Sequence, residues 1–212
     1  MPEFAKILEG YKRFRQDIYP VQRDRFERLK EGQHPKLMII SCCDSRVEPA
    51  QIFDVDPGEV FVVRNVAALV PPYETTPGQH GVSAALEFAV QTLEVRQILV
   101  MGHGLCGGCK AALTQSMKDA SPGQGGFVQQ WIGLLDEARI PVAETYGTDT
   151  REAELAMELE AVKVSLANLL TFPFVADKIA QNSLVLRGAH FAISDGILRL
   201  LNPENGQFEP VE

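Results

Sequence analysis

Apolar and polar positions alternate along this chain in a pattern that predicts an α/β fold. Four short runs of branched apolar residues have the composition of strands buried on both faces; they are residues 36–41, 59–66, 97–102 and 184–193. Helical spacing of apolar residues alternates with these runs, at residues 78–95, 107–117, 127–138 and 151–173. Because parallel strands are joined by long right-handed crossovers, the alternation predicts a mostly parallel central β-sheet flanked by helices. Two further segments have the composition of loops, residues 118–126 and 139–150.

The first 31 residues carry a different pattern. Apolar residues at roughly helical spacing are interrupted at Pro20, which predicts two amphipathic helices. These helices precede the first strand and have no strand of their own to cover. We therefore expect residues 1–31 to form an N-terminal helical arm that packs on a partner subunit. Residues 32–212 are expected to form a single α/β domain.

Composition and charge narrow the possible partners. The 20 basic and 28 acidic side chains give a formal net charge of -8, which argues against nucleic acid or anionic lipid as a partner. The first residues lack the uninterrupted apolar region of a signal peptide, and no apolar stretch approaches the length of a membrane span, about 18 residues. We therefore expect a cytoplasmic protein with no membrane partner.

The four cysteines are too few for a disulfide scaffold and lie in two short clusters, which indicates metal binding or catalysis. Each cluster follows a predicted strand, with C-C-D-S-R at 42–46 and H-G-L-C at 103–106. Ligands of α/β sheets gather at the carboxyl ends of the strands, so we expect Cys42, His103 and Cys106 to converge. Thiolate and imidazole are preferred zinc ligands, and three of them with one open position are typical of a catalytic zinc.

Two other interpretations use the same cysteines. The sequence C-G-G-C at 106–109 has the C-x-x-C spacing of thiol redox enzymes, but that use leaves Asp44, Arg46 and His103 unexplained. A non-catalytic thiol sensor or metal store would instead use all four cysteines, which are Cys42, Cys43, Cys106 and Cys109. One tightly held zinc per chain would favour an enzyme, whereas thiols that pair in air and bind no metal would favour the sensor.

The chain resembles the β-class carbonic anhydrases, in particular their plant-type branch. The resemblance is carried by CCDSRV at 42–47, GEVFVVRNVAALVPPY at 58–73 and HGLCGG at 103–108, and it runs from about residue 33 to residue 201. It implies a zinc enzyme that interconverts carbon dioxide and bicarbonate, as a homodimer or a multiple of dimers in which the neighbouring subunit completes each site. By position in the motifs, one Zn²⁺ per chain is held by Cys42, His103 and Cys106 in the catalytic domain of residues 32–212.

The remaining two cysteines are not expected to bind the metal. Cys43 occupies the variable place of the C-x-D motif, so its side chain should point away from the zinc. Cys109 stands where the family usually has an aliphatic residue, which predicts a position in the core. The alternative is that Cys109 and Cys106 form a redox-active pair of thiols.

Asp44 and Arg46 are the candidate catalytic pair. Zinc lowers the pKa of bound water from about 16 to about 7, although two thiolates make it a poorer acid than three imidazoles would. Asp44 can accept the hydrogen of zinc-bound water or hydroxide, and Arg46 can keep Asp44 ionised through a bidentate pair. The alternative is a solvated ion pair worth about 0–1 kcal/mol.

The resemblance also implies a closed, inactive form in some members, in which the aspartate caps the zinc. Members that close reversibly carry a tryptophan three residues before the first cysteine ligand. Because Ile39 stands at that position, we expect the open form, with water as the fourth ligand.

The resemblance further assigns a pocket for carbon dioxide. Its apolar positions are Phe61, Val66 and Phe88, and its donors are the side-chain amide of Gln33 and the main-chain N–H of Gly104. Plain packing in the core is the alternative for the apolar three. Plant-type relatives have tyrosine where this chain has Phe88, and phenylalanine cannot relay a proton. Slower proton release is the expected consequence.

Three questions stay open at the level of sequence. Hydrolases of carbonyl sulfide or carbon disulfide with the same fold share the ligands and the dyad, although Gln33 and the apolar pocket favour carbon dioxide. Arg64 could attract bicarbonate or serve a subunit contact. Proton shuttling could fall to a histidine, but each candidate could also be an ordinary loop or strand residue; the candidates are His34, His80 and His190.

Overall fold

The computed structural model describes residues 2–211 and shows two helices before the first strand, as predicted. Helix α1 spans Pro2–Arg13 and runs on into a π-helical turn at Phe14–Ile18, and α2 spans Arg23–Leu29. Arg25 of α2 bonds to two acidic side chains before the second strand, at 2.6 Å to Asp56 and 3.4 Å to Glu59. These ion pairs attach helix α2 to the α/β domain of the same chain.

Within residues 2–211, the sheet has six strands in the order β2-β1-β3-β4-β5-β6. The four predicted strands form its parallel part; they are β1 (Leu37–Cys42), β2 (Val60–Asn65), β3 (Gln97–His103) and β4 (Val185–Phe191). Two further strands, β5 (Leu198–Leu201) and β6 (Phe208–Pro210), add to β4 in antiparallel fashion. The prediction of a mostly parallel sheet is confirmed, and the short antiparallel edge is an addition to it.

Helices flank the sheet, as predicted. They are α3 (Pro49–Ile52), α4 (Gly81–Glu87, continued by a π-helical turn at Phe88–Thr92), α5 (Gly107–Thr114), α6 (Gly126–Ile132), α7 (Asp136–Tyr146), α8 (Arg151–Leu169) and α9 (Pro173–Ala180). Short 3₁₀ turns lie at Val66–Ala68 and Gly133–Leu135. The Thr150 hydroxyl caps α8 by accepting a hydrogen bond from the Ala153 N–H at 3.1 Å.

The prediction of a loop over residues 139–150 is wrong for residues 139–146. Helix α7 continues to Tyr146 although Pro141 lies inside it and cannot donate a main-chain hydrogen bond. The helix persists because it buries Val142, which is 5% exposed, in the cluster that also holds Leu135 and Met157. Tertiary packing therefore outweighs the local preference.

The core lies mainly on the sheet face that α8 covers. At the start of the strands it contains Met38, Ile40 and Val100, and near their carboxyl ends it contains Cys42 and Cys106. A smaller cluster of Ile39, Leu99, Met101 and Ala189 covers the other face. Within residues 2–211, no single helix has the length and apolarity needed to cross a membrane. Helices α8 and α9 have that length and apolarity only when they are taken together, and the angle between them is 86°.

Candidate metal centre and active site

Three side chains meet at the carboxyl edge of the sheet. Cys42 is the last residue of β1 and His103 the last of β3, and these strands are neighbours. Cys106 follows one turn later, immediately before α5. The donor atoms of the three residues lie within 4.8 Å of one another, and the residues are only 5%, 1% and 3% exposed. The structure therefore brings together the three residues that the motifs single out.

The ring of His103 is oriented by its own turn. Its Nδ1 lies 2.9 Å from the carbonyl oxygen of Gly104, and because a carbonyl can only accept, Nδ1 carries the proton. Its Nε2 is buried and has no hydrogen-bond partner among residues 2–211. A histidine whose one nitrogen donates to a carbonyl while the other stays free is in the state that binds a metal.

The chemistry of the donors fits a divalent cation. The hydrogen bond with Cys106, followed by burial, raises the pKa of Cys42 to about 12. The hydrogen bond with Cys109 is the main cause that raises the pKa of Cys106 to about 12. Two buried thiols are thus uncharged until a cation stabilises their thiolates. Tetrahedral zinc with sulfur and nitrogen ligands places its donor atoms about 3.5–3.8 Å apart. The three donor atoms lie within 4.8 Å of one another, so the group is suited to one zinc.

Asp44 and Arg46 form a bidentate ion pair beside this centre. Arg46 donates from Nε to Oδ1 at 2.9 Å and from Nη2 to Oδ2 at 2.6 Å, and its main-chain N–H also donates to Oδ1 at 2.9 Å. The hydrogen bond from the guanidinium holds the pKa of Asp44 well below its usual range. Asp44 does not belong to the group of converging donor atoms within residues 2–211, an arrangement that agrees with the expected open form.

Arg64 serves the loop that carries the dyad. Its Nε donates to the carbonyl of Cys42 at 2.9 Å, and its Nη2 donates to the carbonyls of Asp44 at 2.7 Å and Val47 at 3.1 Å. Its Nη1 pairs with Glu48. With its donors committed to this loop, Arg64 positions Cys42 and Asp44. The sequence analysis left Arg64 undecided because its acceptors are main-chain groups that no motif reveals.

The predicted pocket residues do not all meet within one chain. Val66 lies against Gly108 beside the metal centre, where a Cβ at Gly108 would come 2.7 Å from its Cγ1. Phe61 and Phe88 lie together instead, with ring centroids 6.0 Å apart. Phe61 pairs with Met38, four positions before Cys42 on the same sheet face, which is about 13 Å along the strand. Gln33 lies on an exposed loop before β1.

The prediction that the Gly104 N–H serves as a substrate donor is contradicted. This N–H donates to the carbonyl of Phe191 at 2.9 Å, because the pairing of β3 with β4 continues one residue beyond His103. Among the other candidates, Cys43 is exposed and Cys109 is buried next to Cys106. His190 is 1% exposed and lies inside the core. His34 and His80 lie outside the core, in loops.

Comparison with known proteins decides the family. A family model described as carbonic anhydrase matches residues 37–198. The curated protein "Beta carbonic anhydrase 3" of Arabidopsis thaliana is 36% identical over 196 residues, which cover 92% of this chain and 75% of that protein. The chain belongs to the β-carbonic anhydrase family. The similarity to this plant protein is consistent with membership of the plant-type branch.

Solved β-carbonic anhydrases share the fold of this family member. The β-carbonic anhydrase CcaA superposes with a TM-score of 0.91 at 31% identity, over 99% of this chain and all of that one. A tetrameric β-carbonic anhydrase of Sordaria macrospora superposes with a TM-score of 0.81 at 26% identity, over 95% and 98% of the two chains. These matches and the Cys-His-Cys group support zinc-dependent hydration of carbon dioxide by this β-carbonic anhydrase.

Proposed function

We propose that this β-carbonic anhydrase hydrates carbon dioxide reversibly to bicarbonate and a proton, with Cys42, His103 and Cys106 holding one zinc and Asp44 and Arg46 orienting the nucleophile. The observation that carries the proposal is the convergence of two buried thiols and one free imidazole nitrogen within 4.8 Å. When bound, zinc lowers the pKa of water to about 7 and so supplies a base at neutral pH.

The role of Asp44 follows from its state of ionisation. A carboxylate with a lowered pKa accepts a hydrogen bond from the attacking water and directs its lone pair at the carbon of carbon dioxide. Arg46 fixes both oxygens of this carboxylate and also donates to the carbonyl of Leu105 at 3.0 Å, within the turn that joins His103 to Cys106. The orientation of the carboxylate is thereby linked to the metal-binding turn.

The pocket for carbon dioxide is proposed to include residues of two subunits. Val66 lines the metal side within the chain, whereas Phe61 and Phe88 lie about 13 Å away along the strand direction. Phe88 is 44% exposed, so it is free to enter the site of a neighbour. Gln33, on the loop before β1, supplies the amide donor. These positions support a homodimer, or a multiple of dimers, as the active unit.

The N-terminal arm is proposed to hold the subunits together. Helix α1 presents Phe4, Ile7 and Tyr11, which are 62%, 68% and 60% exposed in the single chain. Such a row of apolar side chains is typical of a helix that packs on another surface. The similar Sordaria enzyme is tetrameric. Residues 1–31 are therefore assigned to the arm and residues 32–212 to the catalytic domain. The proposed location of the enzyme is the cytoplasm.

Stopped-flow hydration of carbon dioxide, measured on protein of known zinc content, tests the proposal. We expect turnover proportional to bound zinc and little or no hydrolysis of carbonyl sulfide measured in parallel. Preferential hydrolysis of carbonyl sulfide would replace the proposed substrate. Protein that folds, binds no zinc and forms disulfides in air would instead indicate a thiol sensor.

A further inference from the structure

A buried carboxylate lies next to the metal-binding turn and takes no part in the proposed chemistry. Glu158, in the middle of α8, is 2% exposed. Its Oε1 accepts a hydrogen bond from the main-chain N–H of Cys106 at 3.3 Å. Because Cys106 lies directly before α5, this N–H is one of those at the start of a helix that lack an intrahelical acceptor. Glu158 therefore fixes the backbone of a residue that binds the metal.

Glu158 is itself held in place by two side chains. Arg151 donates from Nη1 to Oε1 at 3.1 Å, and His190 donates from Nε2 to Oε2 at 3.0 Å. Burial alone would raise the pKa of Glu158, but the hydrogen bonds from His190 and Arg151 outweigh burial and leave the pKa below its ordinary value. The carboxylate thus has a donor on each oxygen, and its position is fixed by groups from a helix and a strand.

The close approach of α8 to β3 depends on Gly102. A Cβ at this position would come 2.7 Å from Cγ2 of Val162 and 3.5 Å from the carbonyl oxygen of Glu158. Gly102 immediately precedes His103 and pairs in register with His190. The absence of a side chain at Gly102 therefore lets α8 bring Glu158 under the turn that carries two of the three ligands.

The turn between these ligands needs such support. Leu105 has a φ of 59°, in the left-handed region that residues with a side chain rarely adopt. The turn is held by the Arg46 bond to the Leu105 carbonyl, by the Gly104 bond to Phe191 and by the Glu158 bond to the Cys106 N–H. Of these three contacts, only the last acts on the residue whose sulfur binds the metal.

We propose that Glu158 is a positioning residue of the metal centre: held by Arg151 and His190, it fixes the backbone of Cys106 and thereby the affinity and geometry of zinc binding. The proposal rests on the proposed function to the extent that Cys106 binds zinc. It predicts that a main-chain contact, and not the negative charge, is what Glu158 contributes. A hydrogen-bond acceptor of similar shape should therefore replace it.

The test compares Glu158→Ala with Glu158→Gln, which keeps an oxygen that accepts the Cys106 N–H. Glu160→Ala, on the same helix, is the matched control, since the one ion pair of Glu160 within residues 2–211 is with Lys163 at the surface. Zinc affinity is measured by competition with a chromophoric chelator, and coordination by the electronic spectrum of the cobalt-substituted protein. We expect Glu158→Ala to raise the zinc dissociation constant about 10–100-fold and to change the cobalt spectrum. Glu158→Gln and Glu160→Ala should stay close to wild type in both.

Each other outcome has a defined meaning. Wild-type affinity and cobalt spectrum in folded Glu158→Ala would overturn the inference, as would an equal loss in Glu158→Gln, because the charge would then be the active property. If Glu158→Ala does not fold, Glu158→Asp takes its place, since the shorter side chain withdraws the acceptor and keeps the charge; wild-type zinc affinity in that variant would overturn the inference. Failure of the wild-type protein to bind zinc would overturn the proposed function instead.

Discussion

Arg46 donates a hydrogen bond to each carboxylate oxygen of Asp44, at 2.9 Å from Nε to Oδ1 and at 2.6 Å from Nη2 to Oδ2. Bidentate pairs of this kind fix the plane of a carboxylate as well as its charge. The pair also reaches the metal-binding turn, because Arg46 Nη2 donates to the Leu105 carbonyl at 3.0 Å. Asp44 is thus held ready to act on a molecule bound at the metal centre.

Replacing Asp44 by asparagine tests this role directly. Asp44→Asn keeps the size of the side chain but removes its negative charge. It also replaces one of the two accepting oxygens by an NH₂ group, which donates. We expect zinc content to stay at one per chain while turnover falls by about 100-fold, the loss typical of a misdirected reacting group. Asp119→Asn, on an exposed loop, is the control. An unchanged hydration rate would show that no carboxylate is needed to orient the nucleophile.

Phe88 offers a test of proton release. Its ring is 44% exposed and contacts Phe61, so a hydroxyl can be added there without filling the core. Phe88→Tyr should speed turnover a few-fold at low buffer concentration, where proton release limits the rate, and have little effect at high buffer concentration. Phe208→Tyr on β6 serves as the comparison. If turnover at low buffer does not change, the absence of a tyrosine is not what limits proton transfer.

Zinc binding should release protons. The pKa values of Cys42 and Cys106 are raised to about 12 in the metal-free site, so both thiols are protonated at neutral pH and must lose their protons to become ligands. Zinc affinity should therefore weaken as the pH falls. Titration of metal-free protein with zinc in weakly buffered solution near pH 8 should release at least two protons per ion. A release of one proton or none would mean that one sulfur is not a ligand.

The assembly proposed for the arm depends on its exposed apolar side chains. Ile7 is 68% exposed in the single chain, so a charge there has little effect on the fold of one subunit. Ile7→Glu should shift the mass measured by light scattering toward smaller species and lower turnover with it, because Phe61 and Phe88 of one subunit would no longer complete the site of another. Lys6→Glu, on the same helix, should keep the wild-type mass. A wild-type assembly in Ile7→Glu would remove the arm from the interface.

Much of the fold could be predicted because β1 to β4 are continuous apolar runs and the helices between them are strongly periodic. Strands β5 and β6 were missed since they contain only four and three residues, too few to show a period. Helix α7 was missed beyond residue 138 because Pro141 weakens the local signal, whereas the helix is stabilised by contacts with distant residues.

The metal site could be predicted from the strand ends, since sequence order alone places Cys42 and His103 at one edge of a parallel sheet. Arg64 and Glu158 could not, because they bind main-chain groups and leave no spacing pattern. The assignment of the Gly104 N–H failed for a related reason. Its acceptor, the Phe191 carbonyl, belongs to a strand whose register cannot be read from the sequence.

The most direct test of the account is X-ray absorption at the zinc edge, made on protein with a measured metal content. With Cys42, His103 and Cys106 as ligands, we predict one zinc per chain with two sulfur neighbours at about 2.3 Å and nitrogen or oxygen neighbours at about 2.0–2.1 Å. Four sulfur neighbours would point to a metal store that uses all four cysteines, and a zinc with no sulfur neighbour would contradict the ligand set altogether.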